Sequence, residues 1–301
     1  MNIHDKTLFI INPKSGTRSH RGLKESIRAL FGHAADIVYT RHPGHATDLA
    51  RHAALKGYAK VVAIGGDGTI NEAATGLLDT TTALGIVPFG SGNGLARHLH
   101  IPMKRDEALK IARDGVAVRC DCGEVNVLDE DGTERLRPFF CTMGVGFDAR
   151  VSHEFAECKR RGLLTYSRIA IEHFLRYQPE DYQIEVDGRE CDYRAFLVAV
   201  CNASQYGNNA FIAPRASMSD GLLDVTIMQR GSLPRLAEAG VRLFNHTLDR
   251  SPLIHAMTGH TVTIHRDAPG PGHLDGEPLT LPATIRIACR PARLSIICTD
   301  S

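Results

Sequence analysis

Val61-Val62-Ala63-Ile64-Gly65-Gly66-Asp67-Gly68-Thr69-Ile70-Asn71-Glu72 is the stretch that decides the fold. The apolar run at its start has the length and β-branching of a buried strand. Its end, through Ala73-Ala74-Thr75-Gly76-Leu77, has the composition of a helix. Between them stand Gly65, Gly66 and Gly68, which let the backbone approach a ligand closely. N–H groups at a helix start offer partial positive charge to a phosphate. Asp67 lies inside the turn, and a carboxylate beside a phosphate is unfavourable unless a cation stands between them. The combination therefore points to a nucleotide phosphate with Mg²⁺. Taken alone, the segment also fits an ordinary strand-to-helix turn.

The same alternation runs outward on both sides. Strands are expected at Thr7–Ile11, 37–40, 61–64 and 84–88. Helices are expected over about 22–30, from Pro43-Gly44 through 55, from the glycine turn to 78, from 95 to 99, and over 103–112. Strands alternating with helices imply a doubly wound parallel sheet covered on both faces. Ligands on such sheets bind beyond the carboxyl ends of the strands. The glycine-rich segments Asn12-Pro13-Lys14-Ser15-Gly16, Gly65–Thr69 and Gly90-Ser91-Gly92-Asn93-Gly94 fall at those ends.

Beyond about residue 120 strand-like segments predominate: 124–128, 138–143, 182–186, 195–201, 223–228, 261–265, 283–288 and 294–298. Asp131-Gly132, Asp187-Gly188 and Asp220-Gly221 are turn signals between them. This half reads as an antiparallel β domain interrupted by helices near 163–177 and 233–246. The domain boundaries are expected at 1–122 and 123–286, with about 287–301 rejoining the first domain.

The chain has 301 residues, room for about two domains. Hydrophobic residues make up 43%, enough for ordinary cores, and the formal net charge of +1 argues against a nucleic-acid partner. None of the eight cysteines forms a CxxC pair. They read as buried thiols of a reducing cytosol. The first six residues lack the apolar core of a signal peptide, and no apolar run approaches the ~18 residues that would span a bilayer. A soluble cytoplasmic protein is expected, with peripheral contact at the inner membrane surface left open.

Several motifs occur in order: Asn12–Gly16; Thr40 followed by Gly44-His45-Ala46; Gly65–Thr69 with Asn71-Glu72; Gly90-Ser-Gly-Asn-Gly-Leu-Ala-Arg97; Asp121 in Cys120-Asp-Cys-Gly-Glu124; Gly144-Val-Gly-Phe-Asp148; Asp220-Gly-Leu-Leu-Asp224; and Leu274-Asp-Gly-Glu277. On this ordered set the chain resembles the diacylglycerol-kinase catalytic family, with its bacterial YegS- and DgkB-like lipid kinases and the sphingosine and ceramide kinases. The resemblance implies an α/β nucleotide-binding domain and a β-sandwich-like domain, with the active site in the cleft between them. It implies transfer of the ATP γ-phosphoryl group to a lipid hydroxyl met at a membrane surface.

By position, the resemblance assigns nucleotide contacts to Asn12, Pro13, Ser15, Gly16, Thr40, Gly65, Gly66, Asp67, Gly68, Thr69, Asn71, Glu72, Ser91, Gly92 and Asn93. It makes Asp275 the general base that takes the lipid hydroxyl's proton. It assigns catalytic Mg²⁺ to Asp67 and Asp121, and a structural Mg²⁺ to Asp220 with the carbonyls of Ser217 and Leu222. Bacterial diacylglycerol kinases usually place a third acid where this chain has Gly94, a departure that is similar to sphingosine kinases. Alone, Asp275-Gly276 fits a hairpin turn equally well. Glu277 could assist Asp275 or serve as a solvated charge.

The basic, amphipathic stretch 159–177 fits a membrane-surface helix or, more simply, a helix packed on the β domain. The fifteen histidines form no HExxH-like pair. Arg97 could neutralise phosphate or pin its turn. Two rival functions stand beside the lipid kinase: an NAD kinase-like enzyme, which shares the Gly-Gly-Asp-Gly-Thr turn, and a non-catalytic nucleotide- or lipid-binding regulator. A monomer and a homodimer are equally compatible with the sequence.

Overall fold

The computed structural model describes residues 6–16, 21–157 and 177–299, with residues 154–157 as backbone only. The helix expected near 163–177 and the basic residues 159–168 lie outside the described residues. The chain divides into two compact units, Met1–Asp121 with Ala292–Ser301, and Cys122–Pro291.

The first unit is built on parallel strands β1 (Thr7–Ile11), β2 (Ala35–Tyr39), β3 (Lys60–Gly65) and β4 (Ala83–Pro88), in the order β4-β3-β1-β2. The last strand of the chain, β16 (Thr284–Cys298), lies parallel to β4 with Ile296 opposite Leu84. Every residue of β1 and β4 is buried, because helices cover both faces of the sheet. Helices α1 (Leu23–Phe31) and α5 (Arg105–Asp114) touch each other, and α2 (His45–Leu55) packs on α3 (Asp67–Leu77). Each turns a stripe of apolar residues inward: Leu23 and Ile27 on α1, Ala46, Ala50 and Ala53 on α2, Ala108, Leu109 and Ala112 on α5. The short helix α4 (Gly94–His98) follows β4. The chain runs from β1 outward to β2, then crosses back to β3 and β4 on the other side of β1, so the switch point of the sheet lies between β1 and β3.

The second unit is a β-sandwich-like body. One layer has the order β12 (Ile254–Gly259), β11 (Leu223–Met228), β10 (Leu197–Cys201), β7 (Thr142–Gly146), β14 (Gly270–Leu274), β15 (Glu277–Leu281). β13 (Thr261–His265) pairs with β8 (Glu180–Val186) and β16, β9 (Arg189–Ala195) pairs with β8, and β6 (Glu134–Phe139) pairs with β5 (Val116–Leu128). Strand β10 shows why its sequence is apolar throughout. Val198 and Val200 face the core shared with Val125, Phe139, Met143 and Ile285, while Leu197, Ala199 and Cys201 face a second cluster with Phe196, Ile212 and Ala239. Helix α6 (Phe147–Glu157) follows β7, and α7 (Leu233–Phe244) packs Leu236, Ala239 and Leu243 against the second cluster.

Several elements differ from the sequence reading. The two strands expected at 283–288 and 294–298 are one strand, β16, carried through Ala292 at φ 53. Strand β5 is 13 residues long rather than five; its first eight residues alternate Val116, Val118, Cys120 and Cys122 with Ala117, Arg119, Asp121 and Gly123, and the first four are exposed. Helix α6 and strands β9, β12, β14 and β15 were not anticipated. Strand β9 is polar and exposed along most of its length, and β14 begins Gly270-Pro271-Gly272, which composition reads as a loop. The described cysteines are all free thiols and, except for Cys191, buried.

Gly76 sits where α3 crosses α2, and a Cβ there would lie 2.4 Å from the Thr47 carbonyl oxygen. Alanine would gain about 1 kcal/mol of helix propensity. The overlap is with backbone that cannot rotate away, so overpacking wins. Gly76→Ala is expected to destabilise the first unit by a net 1–2 kcal/mol, roughly, read as a lower denaturation midpoint. An unchanged or raised midpoint would show that the helices separate freely.

Candidate active site

Three turns meet at the carboxyl ends of β1, β3 and β4. Asn12, the residue after β1, donates its N–H to the Ile64 carbonyl (3.0 Å) and its Nδ2 to Thr69 Oγ1 (3.0 Å). Its Oδ1 accepts the Lys14 N–H (2.9 Å), and Ser15 Oγ donates to its carbonyl (2.8 Å). One amide side chain therefore ties the β1 turn to the first turn of α3, across the switch point where such sheets take their ligands. Thr40 N–H donates to the Ile11 carbonyl (2.9 Å) at the same edge.

Asp67 opens α3 and ties the second turn to the third. Its Oδ2 accepts the Asn93 N–H (2.8 Å) and its Oδ1 the Gly94 N–H (2.7 Å). No side chain of α4 itself caps that helix, so Asp67 does so from another element. Asn93 closes its own turn: Oδ1 accepts the Gly90 N–H (3.0 Å) and Nδ2 donates to the Gly90 carbonyl (2.8 Å), with the backbone at φ 51. Arg97 Nε donates to the Gly92 carbonyl (3.0 Å), so this side chain pins the turn. The two turns approach so closely that a Cβ on Gly90 would lie 2.8 Å from the Gly66 Cα, and one on Gly92 2.9 Å from Asp67 Oδ2. Pro13, Gly16, Gly68 and Ser91 are exposed on these turns.

Other expected nucleotide residues have structural work. Glu72 Oε2 accepts the Ala46 N–H (3.0 Å) and its carbonyl accepts Thr47 Oγ1 (2.9 Å), so Glu72 caps α2. The Asn71 carbonyl accepts Thr75 Oγ1 (2.8 Å). Buried Asp121 accepts the Ala292 N–H (2.7 Å), which holds the left-handed kink of β16. Burial pushes His98, after the Gly90–Gly94 turn, down to about 4, so it is neutral near pH 7.

Asp275 lies in the second unit, in a two-residue turn between β14 and β15. Leu274 pairs with Glu277, and Asp275 and Gly276 have φ 50 and 83, the form that Asp-Gly adopts in tight hairpins. Its carboxylate reaches a row of backbone donors. Oδ2 accepts the Phe140 N–H (2.9 Å), and Oδ1 accepts those of Cys141 (2.7 Å) and Thr142 (2.9 Å). Asp187-Gly188 makes the same kind of turn between β8 and β9, and Asp187 also collects N–H bonds, from His260 and Thr261. The two carboxyls differ in proton affinity. Hydrogen bonds from Thr261 and His260 hold exposed Asp187 below the usual carboxylate range. Burial pushes Asp275 up to about 6, against the opposing pull of its three N–H bonds and of His273.

Around Asp275 lies a buried polar network that the sequence reading left without a role. Asp148 Oδ2 accepts the Tyr206 hydroxyl (2.8 Å) and faces His273 Nε2 (3.1 Å), while its Oδ1 accepts the Ala149 N–H (2.8 Å). His273 is 1% exposed and stands two residues before Asp275 on β14. Gly144 on β7 makes room for both, since a Cβ there would lie 2.3 Å from Asp148 Oδ2. The one available signal was the Gly144–Asp148 motif. The backbone row at 140–142 has no side-chain signature.

Among the described residues, no three or more His, Cys, Asp or Glu side chains form a metal-ligating group. Mg²⁺ is usually held by one or two carboxylates together with substrate phosphates and water, so Asp67 on its glycine turn fits that kind of site. Asp220 accepts the Leu222 N–H (3.0 Å), and Ser217 Oγ lies 3.3 Å from Ser219 Oγ, bonds that close the turn before β11. No described helix is long and apolar enough to cross a membrane.

The model of the diacylglycerol kinase catalytic domain matches residues 6–125, and that of the YegS C-terminal NAD kinase beta sandwich-like domain matches residues 141–298. The chain belongs to the diacylglycerol-kinase catalytic family. A diacylglycerol kinase of Bacillus subtilis is 31% identical, over 75% of this chain and 74% of its own. One of Mycobacterium tuberculosis is 29% identical, over 97% and 94%. A crystal structure of a diacylglycerol kinase from Bacillus anthracis superposes with a TM-score of 0.73 over 98% and 97% of the two chains, at 21% identity, and so shares the fold. In this family member the two matched regions contain the glycine turns and the Asp275 turn respectively.

Asn93 combines two side-chain bonds with a left-handed backbone, and the two contributions separate by substitution. Asn93→Gly keeps the backbone and loses the bonds, whereas Asn93→Ala loses both. Stability is expected to fall in the order wild type, Gly, Ala, with about 1 kcal/mol between Gly and Ala. Equal denaturation midpoints for the two variants would contradict a left-handed Asn93.

Proposed function

We propose that this protein is an ATP-dependent lipid kinase that transfers the γ-phosphoryl group of ATP to a lipid hydroxyl of the diacylglycerol or sphingoid kind. The observation that carries the proposal is the contrast between Asp275 and Asp187. Two like turns hold their carboxylates with backbone N–H groups, and burial raises the proton affinity of Asp275 alone. A carboxylate of pKa near 6 is ionised at neutral pH and still takes a proton readily, which suits a general base.

In this reading the turns at Asn12–Gly16, Gly65–Asn71 and Ser91–Asn93 bind the nucleotide phosphates with backbone N–H groups and the start of α3. Thr40 contacts the nucleotide at the edge of the sheet. Mg²⁺ held by Asp67, with Asp121 as the further acid, would neutralise phosphate charge as it moves toward the leaving group. Asp275 accepts the proton of the lipid hydroxyl as its oxygen bonds to the γ-phosphorus. The bond from that phosphorus to the β,γ-bridging oxygen breaks, and ADP leaves with the electron pair. The Phe140–Thr142 N–H groups fix the orientation of the carboxylate, so the protein contributes mainly position and charge. The kinase would work in the cytoplasm and meet its lipid by peripheral contact.

A radiolabelled-ATP assay against a panel of diacylglycerol, phosphatidylglycerol, sphingosine and NAD tests this reading. Label in NAD and in no lipid would overturn it. Asp275→Asn is expected to lower turnover by at least ~100-fold while ATP still binds. The wild-type pH profile gives a second check. Asp275 must be ionised to accept a proton, so kcat/KM should fall about tenfold per pH unit below about 6 and level off above it. A profile flat down to pH 5 would remove Asp275 as the base. Asp67→Ala should abolish transfer, because it removes both the phosphate-side carboxylate and the clamp on Asn93 and Gly94. Full activity in that variant would refute this use of the turn.

A further inference from the structure

Helix α7 carries more apolar surface than the fold uses. At about 100° per residue, its apolar arc runs from Ala239 through Leu243 and Leu236 to Gly240, Leu233, Phe244, Ala237 and Val241. Only the first three of these pack against the cluster around Phe196 and Ile212. The rest of the arc faces outward: Leu233 is 66% exposed, Val241 61% and Phe244 52%. These are three of the eight large hydrophobic side chains exposed among the described residues, and they share one helix face.

The helix is not a loose end. Leu243 accepts the Phe211 N–H (2.7 Å), and the Phe211 ring stacks on His246. The segment 202–213 that receives it is bonded in turn to the row of donors that holds Asp275. Ala213 N–H donates to the Ser204 carbonyl, and Asn202 and Ala203 N–H donate to the Cys141 carbonyl. The charges beside the apolar face are mostly positive. Residues 230–250 contain Arg230, Arg235, Arg242 and Arg250 against Glu238 and Asp249, a net charge of 4 − 2 = +2. Glu238 is already engaged by Arg242 (2.8 Å), and Asp249 by Arg215 (3.2 Å). On the wheel Arg235 and Arg242 lie on the polar side, roughly opposite Leu233 and Phe244, with Arg242 engaged by Glu238; arginine on the polar face of an interfacial helix meets the headgroup layer while the apolar face enters the acyl boundary.

We propose that the outer face of α7 is a membrane-docking surface, with Leu233, Val241 and Phe244 entering an anionic phospholipid interface and Arg235 on the polar face contacting its headgroups. A helix that is apolar on one outer side and polar on the other, with arginine on the polar side, is the form that lies in the plane of such an interface. The biological sense of the surface rests on the lipid-kinase reading, because an enzyme whose acceptor lies in a bilayer gains from being held there. The docking itself does not need that reading.

The test is co-sedimentation of the full chain with vesicles, without ATP. One set contains phosphatidylglycerol with phosphatidylethanolamine, the other phosphatidylcholine alone. Wild type is expected to bind the anionic vesicles more tightly than the neutral ones. The triple variant Leu233→Ser, Val241→Ser, Phe244→Ser should lose at least about tenfold in partitioning, and Arg235→Gln should lose binding to the anionic set alone. The triple variant should keep its circular dichroism and melting temperature, as residues outside the core would. On detergent-dispersed diacylglycerol its turnover should equal wild type. Equal vesicle binding by wild type and triple variant would overturn the proposal. So would a wild-type dimer that the triple variant dissociates with no change in vesicle binding, since a second copy would then cover this face. If no lipid is phosphorylated but vesicle binding still depends on the three residues, the kinase reading falls and the docking surface stands.

Discussion

The first unit depends on one carboxylate gripping two backbone N–H groups. Asp67 begins the helix after β3 and caps the helix after β4, so two strand-end turns that share no sequence are held as one surface. Charge-assisted bonds of this kind are about twice as strong as neutral ones, and both are short. The glycines follow from that grip, because side chains at 90 or 92 would push the turns apart. So does the left-handed Asn93, which turns its own N–H and that of Gly94 toward the same acid. Position 94 has no side chain to offer, yet it serves the clamp through its backbone N–H.

The second unit makes the complementary point about burial. Asp187 and Asp275 sit in turns of the same length, the same residue pair and the same backbone sign. Each gathers backbone N–H bonds. What separates them is that half-buried Asp275 is more shielded from water than exposed Asp187, which raises its proton affinity where hydrogen bonds alone would lower it. The Tyr206–Asp148–His273 network next to it links further polar groups through Asp148, with His273 Nδ1 buried and without a hydrogen-bond partner.

The parallel sheet was legible because buried strands and capped helices write opposite periods into the sequence. Val61–Ile64 and Leu84–Val87 could be little else once Gly65–Thr69 and Gly90–Asn93 followed them. The β-rich unit was harder to read for a physical reason. Strand β14 opens with Gly270 and Pro271 and β9 is polar, so each is a strand by virtue of its neighbours rather than its own residues. The site divided in the same way. Asn12, Asp67, Thr69 and Asn93 were visible as types at fixed spacing, and the structure brings them together. Glu72 carried the same local signal, and its carboxylate caps α2. The donors around Asp275 are main-chain groups, which any sequence would supply.

Strand β16 brings residues 292–298 to the edge of β4 only after every other strand of that sheet has been made. During synthesis β4, whose six residues are all buried in the finished protein, must wait with an unpaired edge while the whole second unit, Cys122–Pro291, emerges. The Ala292 N–H that Asp121 accepts also arrives only then. The first unit thus cannot complete its sheet from the amino-terminal part of the chain alone. A chain broken off early would present a sticky strand edge to the cell's quality control, and completion of the sheet reports that translation has reached the end of β16.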